Sequence, residues 1–211
     1  LELAKKIEDA GADSVAIKDM AGLLRPFDAY NLVKNLKETI EIPVHMQTHA
    51  TTGMSAATNM KAIEAGIDNI DTSISSLSMT YGHSATETML AIFEDQDREI
   101  ILDLEALEEV SKFFRNIRKK YSEFEGGLKG VDSSMLVKQV PGGMLSNLES
   151  QLRANKQEDK IDLVKDEIPK VRKDFGYPPL VTPASQIVGA QALLNVMSCL
   201  LYTSPSPRDW L

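Results

Sequence analysis

Imidazole and amide side chains, both of which can bind metal ions, recur at every second residue of one short segment. The segment PVHMQTHATTG (43–53) places His45, Gln47 and His49 in this way. A β-strand would send all three to one face, but His45 and His49 would then lie ~13 Å apart, too far to share one ion. From spacing alone, a histidine within a strand is more often a packed, hydrogen-bonded residue than a ligand. A metal site is therefore the minority interpretation at this point.

Charged side chains follow two other apolar segments. Lys18 and Asp19 end the segment SVAIKD, and Asp71 follows AGIDNI. If these segments are strands of a parallel barrel, their carboxyl ends meet at one mouth, where Lys18, Gln47 and His49 could lie together. A lone lysine at a strand end is usually solvated or ion-paired. His83, in MTYGHSATE, is expected to be a loop residue with no part in the chemistry.

Two segments that echo each other predict how these residues are positioned. EDAGADSVAIKD and IEAGIDNIDTSI each consist of a helix end, then Ala-Gly-x-Asp, then a β-branched apolar run. Their glycines, Gly11 and Gly66, suit the residue just past a helix, where a left-handed backbone is needed. A third such unit has Pro26 near its helix start and ends in IPVHMQTH. Strands therefore begin near residues 14, 43 and 69, at the ~25–30-residue spacing of βα units.

Repeated βα units predict an α/β fold, either a (β/α)₈ barrel or a doubly wound parallel sheet. No Gly-rich phosphate loop follows any predicted strand, which disfavours the doubly wound alternative. We therefore predict the C-terminal part of a (β/α)₈ TIM barrel, its last three βα units, over residues 1–100. A complete barrel has ~250 residues, so the other strands would precede Leu1. The chain alone is expected to be inactive, because three strands leave an open edge.

From about residue 100 the pattern becomes helical. Apolar residues at helical spacing predict one stripe of Leu104, Leu107, Val110, Phe114, Ile117 and Tyr121. Further helices are expected near 144–156, near 159–174 and in SQIVGAQALLNVM. Residues 101–198 are therefore predicted to form a helical funnel extension. The end of the chain, CLLYTSPSPRDWL, breaks the helical periodicity with Ser-Pro-Ser-Pro, so residues 199–211 are expected to be a non-native tail.

The composition disfavours several classes of protein. The 31 acidic and 23 basic residues give a net charge of −8, which argues against nucleic-acid binding. No apolar run approaches the ~18 residues of a membrane span. The single cysteine, Cys199, excludes an internal disulfide framework and indicates a reducing compartment. A cytoplasmic location is therefore expected.

Five motifs occur in one order along the chain. They are AIKDMAGLLRP (16–26), PVHMQTHATTGMS (43–55), AGIDNIDTSISSLS (65–78), VPGGMLSNLESQL (140–152) and YPPLVTPASQIVGAQALLNV (177–196). Together they resemble the carboxyltransferase domain shared by the oxaloacetate decarboxylase alpha subunit, pyruvate carboxylase and transcarboxylase. The resemblance covers residues 1–198. It implies a (β/α)₈ barrel with a helical funnel over its mouth.

The resemblance also implies a divalent metal, Zn, Mn or Co. In members of the family the lysine of the motif K-D-M-A-G-L-L is carboxylated, and here that lysine is Lys18. A carbamate is an anionic oxygen donor, whereas a free lysine with a pKa of about 10.4 is a poor ligand. The family's paired histidine ligands correspond to Gln47 and His49, ~6.6 Å apart along a strand, so this chain has a weaker amide donor at the first position. The family's Asp ligand and its pyruvate-binding Arg and Gln would precede Leu1.

The motif V-T-P-x-S implies a proton carrier. Its threonine, here Thr182, moves a proton between biotin and the pyruvate enolate in the family, and Ser185 corresponds to a residue near bound biotin. The chain has no A-M-K-M attachment motif, so biotin would be supplied by a separate carrier domain or subunit. The catalytic residues implied are therefore Lys18 and Thr182, and the implied substrates are oxaloacetate and pyruvate.

The leading prediction is biotin-dependent carboxyl transfer that decarboxylates oxaloacetate to pyruvate, or the reverse. Ala50 replaces the Asp of many pyruvate carboxylases and favours the decarboxylase branch. Three alternatives stay open: a pyruvate carboxylase subunit that acts anabolically, a related metal-dependent aldolase or lyase barrel, and a metal-free scaffold subunit, which Gln47 would support. A homo-oligomer is expected. Membrane decarboxylase subunits are further candidate partners, which would hold the protein at the inner membrane.

Overall fold

The structure of the protein is a computed structural model that describes residues 1–94 and 101–197. The chain divides into two compact units, Leu1–Leu136 and Val137–Leu211. The predicted boundary at residue 100, between barrel and funnel, stays a prediction. The predicted tail, residues 199–211, lies outside the described residues.

The first unit alternates helices and strands up to its third strand. Its elements are α1 (Glu2–Asp9), β1 (Val15–Asp19), α2 (Pro26–Thr39), β2 (Val44–Thr48), α3 (Ser55–Glu64), β3 (Asn69–Ile70), a 3₁₀ turn (Ser75–Leu77), α4 (Thr86–Phe93) and α5 (Leu104–Lys120). The strands form one parallel sheet in the order β1-β2-β3. The three predicted strand positions and the parallel βα arrangement are thereby confirmed.

Local backbone chemistry explains where the first helices begin and end. Pro26 is the first residue of α2, where its missing N–H group would have no helical partner anyway. Gly11 and Gly66 follow the last residues of α1 and α3 with φ of 87° and 92°. A Cβ at either glycine would meet no atom within 4 Å. Their role is therefore the left-handed backbone itself, as the sequence predicts.

One face of the sheet carries the core of the first unit. Val44 and Met46 of β2 are fully buried and pack with Val33 of α2. Burial of each such side chain stabilises the fold by roughly 1.5–3 kcal/mol. His45 and Gln47 alternate with these residues and are only partly buried. They therefore point to the opposite face of the sheet.

The apolar stripe predicted along α5 is only partly buried. Leu104, Val110 and Tyr121 are exposed by 43, 43 and 57%, whereas the helix buries Ser111 completely. The Ser111 hydroxyl lies 2.7 Å from the hydroxyl of Ser75. Apolar spacing indicates which residues share a face of a helix, but a hydroxyl that has a partner can be buried on that face instead.

The second unit is helical over its described residues. A short helix, α6 (Met135–Lys138), spans the division between the units, and α7 (Gly142–Ala154), α8 (Ile161–Asp174) and α9 (Ala184–Met197) follow. Leu145, Val164 and Val188 are buried, one from each long helix. A Cβ at Gly189 would lie 2.9 Å from Met144 Cε, so α9 approaches α7 closely there. Among residues 1–94 and 101–197, we find no helix with the length and hydropathy that a membrane crossing needs.

Candidate functional site

The carboxyl ends of β1 and β2 bring two of the predicted residues side by side. Lys18 and Gln47 are direct partners in the parallel register, so their side chains point to the same face of the sheet. This is the face opposite the apolar core. No hydrogen bond or ion pair engages the Lys18 side chain within the described part of the chain. The amine is therefore available for a reaction or a ligand.

Asp19, the last residue of β1, fixes this arrangement. Its carboxylate accepts the backbone N–H groups of Leu23 and Leu24 at 2.9 and 3.0 Å and the Thr48 hydroxyl at 2.8 Å. Its backbone carbonyl accepts the N–H of His49 at 3.1 Å. Hydrogen bonds to a charged group contribute about 1.5–3 kcal/mol each. Asp19 thus joins the ends of the two strands and places His49 beside Lys18.

His49 is held in one tautomer by its surroundings. Its Nδ1 lies 2.6 Å from the backbone carbonyl of Tyr81. A carbonyl oxygen can only accept, so Nδ1 carries a hydrogen, and in the neutral ring Nε2 has the lone pair. Histidines that ligate metals have this same second hydrogen bond, which fixes the ring and raises its basicity. His49 therefore has the second hydrogen bond that such ligands have, and its role as a ligand stays a prediction.

Gln47 is the second predicted donor, and its surroundings test the metal interpretation. Its Oε1 is buried and has no hydrogen-bond partner within the described residues. An unpaired buried amide oxygen costs about 1–3 kcal/mol, and a cation would satisfy it. Residues 1–94 and 101–197 contain no group of three His, Cys, Asp or Glu that could hold a metal. The predicted donor set is instead mixed: the Gln47 amide, the His49 imidazole and a carbamate on Lys18.

His83 is the residue that sequence reasoning missed. It lies in a loop, as predicted, but its ring centroid is 4.7 Å from that of His49. Its Nδ1 lies 3.5 Å from the Ser73 hydroxyl. Burial lowers the pKa of His83 below its ordinary value, as do the charges of His49 and Lys18, against an opposing effect of Asp71. Nothing in the spacing of the sequence could have paired His83 with His49, because a loop fold brings them together.

The other two predicted site residues belong to the second unit. Thr182 is exposed and precedes α9, and the Thr182–Pro183 peptide bond is cis. Ser185 lies in the first turn of α9, is buried, and donates its backbone N–H to the carbonyl of Val181 at 2.9 Å. None of the described contacts identifies a ligand for either side chain, so both roles stay predictions.

Two family models match the chain. The HMGL-like model matches residues 1–114, which is more than half of the chain. The model of the conserved carboxylase domain matches residues 135–204.

Known proteins match nearly the whole chain. It is 49% identical over 199 residues to a pyruvate carboxylase subunit of Methanocaldococcus jannaschii, covering 94% of this chain and 35% of that protein. It is also 49% identical over 199 residues to the methylmalonyl-CoA carboxyltransferase 5S subunit of Propionibacterium freudenreichii subsp. shermanii, covering 93% of this chain and 39% of that protein. The chain therefore spans somewhat over a third of the length of these relatives.

A solved structure shares the fold. The carboxyl transferase domain of Rhizobium etli pyruvate carboxylase with 3-hydroxypyruvate superposes with a TM-score of 0.90 at 34% identity, covering 97% of this chain and 35% of that chain. This match confirms the predicted fold class, part of a TIM barrel followed by a helical region. The chain belongs to the HMGL-like family, and its resemblance to the carboxyltransferase domains of pyruvate carboxylase and transcarboxylase is confirmed.

Proposed function

We propose that the protein transfers a carboxyl group between biotin and a 2-oxo acid, decarboxylating oxaloacetate to pyruvate or running the reverse reaction. The observation that carries the proposal is the donor set at the strand ends. There, Lys18 and Gln47 share one face of the sheet, the Lys18 amine and the Gln47 oxygen have no hydrogen-bond partner among the described residues, and the Nδ1 of His49 is held by Tyr81. The names of the related enzymes support the carboxyl chemistry.

The residues that would hold a divalent Zn, Mn or Co ion are Lys18, His49 and, as a weaker donor, Gln47. Lys18 would act as its carbamate, formed when the neutral amine adds CO₂ and loses a proton. Two features of the chain favour these roles: the Lys18 amine has no described partner, and Tyr81 fixes the tautomer of His49. A bound divalent ion would supply Lewis-acid chemistry: it would polarise the keto-acid carbonyl and offset the negative charge that develops on its oxygen.

Thr182 is proposed to carry the proton. In the decarboxylating direction, its hydroxyl gives a proton to the enolate carbon and regains one from N1 of biotin, which has taken up the carboxyl group. The exposure of Thr182 supports this role, because the hydroxyl must reach a ligand. Ser185 is proposed to lie near the bound biotin. Its buried position at the start of α9 makes it a support for the Thr182 loop as well.

The proposed partners follow from the proposed chemistry. Biotin would arrive on a separate carrier domain or subunit, since no attachment motif occurs in this chain. Both relatives described above are named as subunits, one of pyruvate carboxylase and one of a carboxyltransferase, which supports assembly with other chains. A homo-oligomer in the cytoplasm is proposed. Membrane decarboxylase subunits would be further partners where the reaction runs as decarboxylation.

A matched set of conservative variants tests the proposal in the protein as it is encoded. Lys18→Arg keeps length and charge but cannot form a carbamate, so we expect loss of bound metal and at least a ~10²-fold loss of biotin-dependent oxaloacetate decarboxylation. Thr182→Ala is expected to lose ~10²–10⁴-fold in rate with metal content unchanged, because only the proton transfer is removed. Elemental analysis and a pyruvate-release assay measure the two effects.

Thr182→Ser is the control for this test. It keeps a hydroxyl and is expected to retain most of the activity that Thr182→Ala loses. Full activity and metal content in Lys18→Arg would exclude a carbamate ligand. Equal activity in the alanine and serine variants would exclude proton transfer through residue 182.

A further inference from the structure

A strained loop holds His83 next to the strand ends. Met79 and Thr80 have φ of 64° and 51°, a left-handed conformation that is unfavourable for a β-branched threonine. The loop closes on itself through the N–H of Met79, which donates to the carbonyl of His83 at 2.7 Å. It is also fastened to the segment that follows β2, because the N–H of Ala50 donates to the carbonyl of Gly82 at 2.8 Å. Backbone strain of this kind persists where the surrounding structure holds a residue for a purpose.

The hydrogen bonding of the His83 side chain is incomplete in this position. Its Nε2 is buried and has no hydrogen-bond partner among residues 1–94 and 101–197. The Ser73 hydroxyl, 3.5 Å away, engages only the other ring nitrogen. An unpaired buried polar atom costs about 1–3 kcal/mol. A ligand bound at His83 Nε2 would offset the free-energy cost of the strained loop and of the missing hydrogen bond.

The neighbours of His83 identify where that ligand would be. Its ring lies against that of His49, which follows β2, and its Nδ1 lies 3.5 Å from the hydroxyl of Ser73, which follows β3. His83 therefore lies over the same edge that carries the unpaired Oε1 of Gln47. Two imidazoles on one ion, with each nitrogen ~2.0–2.1 Å from the metal, place their ring centroids ~4–6 Å apart. The 4.7 Å between the rings of His49 and His83 falls within that span.

We propose that His83 is a further metal ligand of this site and that its Nε2 makes up for the imidazole that Gln47 lacks. The inference rests on the proposed function, because it requires that the strand-end residues bind a divalent ion. Imidazole is a stronger donor than an amide oxygen for zinc-like ions. The ion would bind the carbamate of Lys18, His49 and His83, with Gln47 as a weak additional donor.

Metal-binding affinity tests the inference without reference to activity. In the protein as it is encoded, Zn²⁺ is titrated against a chromophoric chelator in the parent and in His83→Ala. We expect at least a ~10-fold weaker affinity in His83→Ala. With Co²⁺ as the probe, the visible absorption band should change, because the number of nitrogen donors changes. His45→Ala, on the same strand face but two residues before Gln47, is the matched control and is expected to leave both readouts unchanged.

A rescue variant separates ligation from loop damage. Gln47→His in the His83→Ala background restores one imidazole to the site, so it is expected to regain most of the lost affinity. A loop that had merely misfolded would not be repaired by a histidine at position 47, so failure of the rescue overturns the inference. Unchanged affinity in His83→Ala, with the parent binding Zn²⁺, also overturns it and leaves the proposed function intact. A parent protein that binds neither ion would remove both proposals together.

Discussion

The two edges of the three-stranded sheet differ in the hydrogen bonding of their polar groups. At the edge where the strands begin, carboxylates accept hydrogen bonds from backbone N–H groups and so link neighbouring segments of the chain. Glu8 accepts the backbone N–H groups of Glu41 and Ile42 at 2.6 and 3.1 Å, and Asp68 accepts that of Val44 at 2.7 Å. Each of these carboxylates also binds a lysine at 2.7–2.9 Å. The polar atoms that this edge positions are occupied by the protein itself.

At the edge where the strands end, polar atoms are left open. Gln47 Oε1 and His83 Nε2 are buried without partners in the described residues, and Lys18 has no described ion pair. Asp19 at this edge is saturated, and its bonds serve to place the others. In βα barrels, the edge where strands end carries the chemistry and the opposite edge carries stability. The difference in hydrogen bonding between the two edges is what this division of roles predicts.

The largest expected effect comes from Gly22, which supports the open edge. Its φ is +66°, and a Cβ there would clash with the carbonyl oxygen of His49. Gly22→Ala is therefore expected to lower the free energy of unfolding by about 3 kcal/mol or more, because backbone atoms must move apart. Urea denaturation measures the change. Gly11→Ala is the control, since its φ is +87° but a Cβ meets nothing within 4 Å, and only about 1–2 kcal/mol should be lost. Equal losses would show that close approach to His49 is unimportant.

The parts of this architecture that the sequence predicts are those set by neighbouring residues. The strand positions follow from β-branched runs, and the left-handed backbone at Gly11 and Gly66 follows from the Ala-Gly-x-Asp pattern. Lys18 and Gln47 could be placed together because parallel strands of similar length share an edge. Each of these inferences needs only local pattern and the geometry of a parallel sheet.

The parts that the sequence does not predict depend on contacts between distant residues. His83 lies next to His49 because its loop contains two residues with a left-handed backbone. Neither of them is a glycine, so their residue types do not predict this backbone. Ser111 is buried on α5 because Ser75 supplies its hydrogen bond, which apolar spacing does not predict. An unpaired atom such as Gln47 Oε1 is likewise visible only when all its surroundings are in place.

A smaller change, this time an increase in the free energy of unfolding, is expected when the unpaired amide of Gln47 is removed from the edge where the strands end. Gln47→Leu should raise the free energy of unfolding of the chelator-treated protein by about 1 kcal/mol, because the desolvation penalty of an unpaired amide disappears. Thermal melting measures this gain. Gln191→Leu is the control, since Gln191 Nε2 already donates to Asn195 Oδ1 at 2.7 Å, and no gain is expected there. A Gln47→Leu protein no more stable than the control would mean that Gln47 carries no such penalty.

The smallest expected effect lies at the edge where the strands begin. Burial opposes ionisation of Asp68, yet hydrogen bonds from the Lys37 ammonium and the Val44 amide hold the pKa of Asp68 below its ordinary value. A carboxyl whose folded pKa is lowered stabilises the fold above its unfolded pKa, near 3.8, and this contribution is lost as pH falls through the lower folded value. Because Asp68 is about a third exposed, solvent screening limits the contribution to about 1 kcal/mol or less.

The measurement for Asp68 is the difference in unfolding free energy between the parent and Asp68→Asn across pH. The difference should be constant from pH 7 down to about 5 and should shrink below about 4. Asp162→Asn, whose side chain is 79% exposed, should show a smaller difference at every pH. A gap between parent and Asp68→Asn that persisted unchanged to pH 2 would assign the stabilisation to the shape of the side chain. The edge where the strands begin would then owe its stability to packing, and the contrast between the two edges would rest on the open atoms alone.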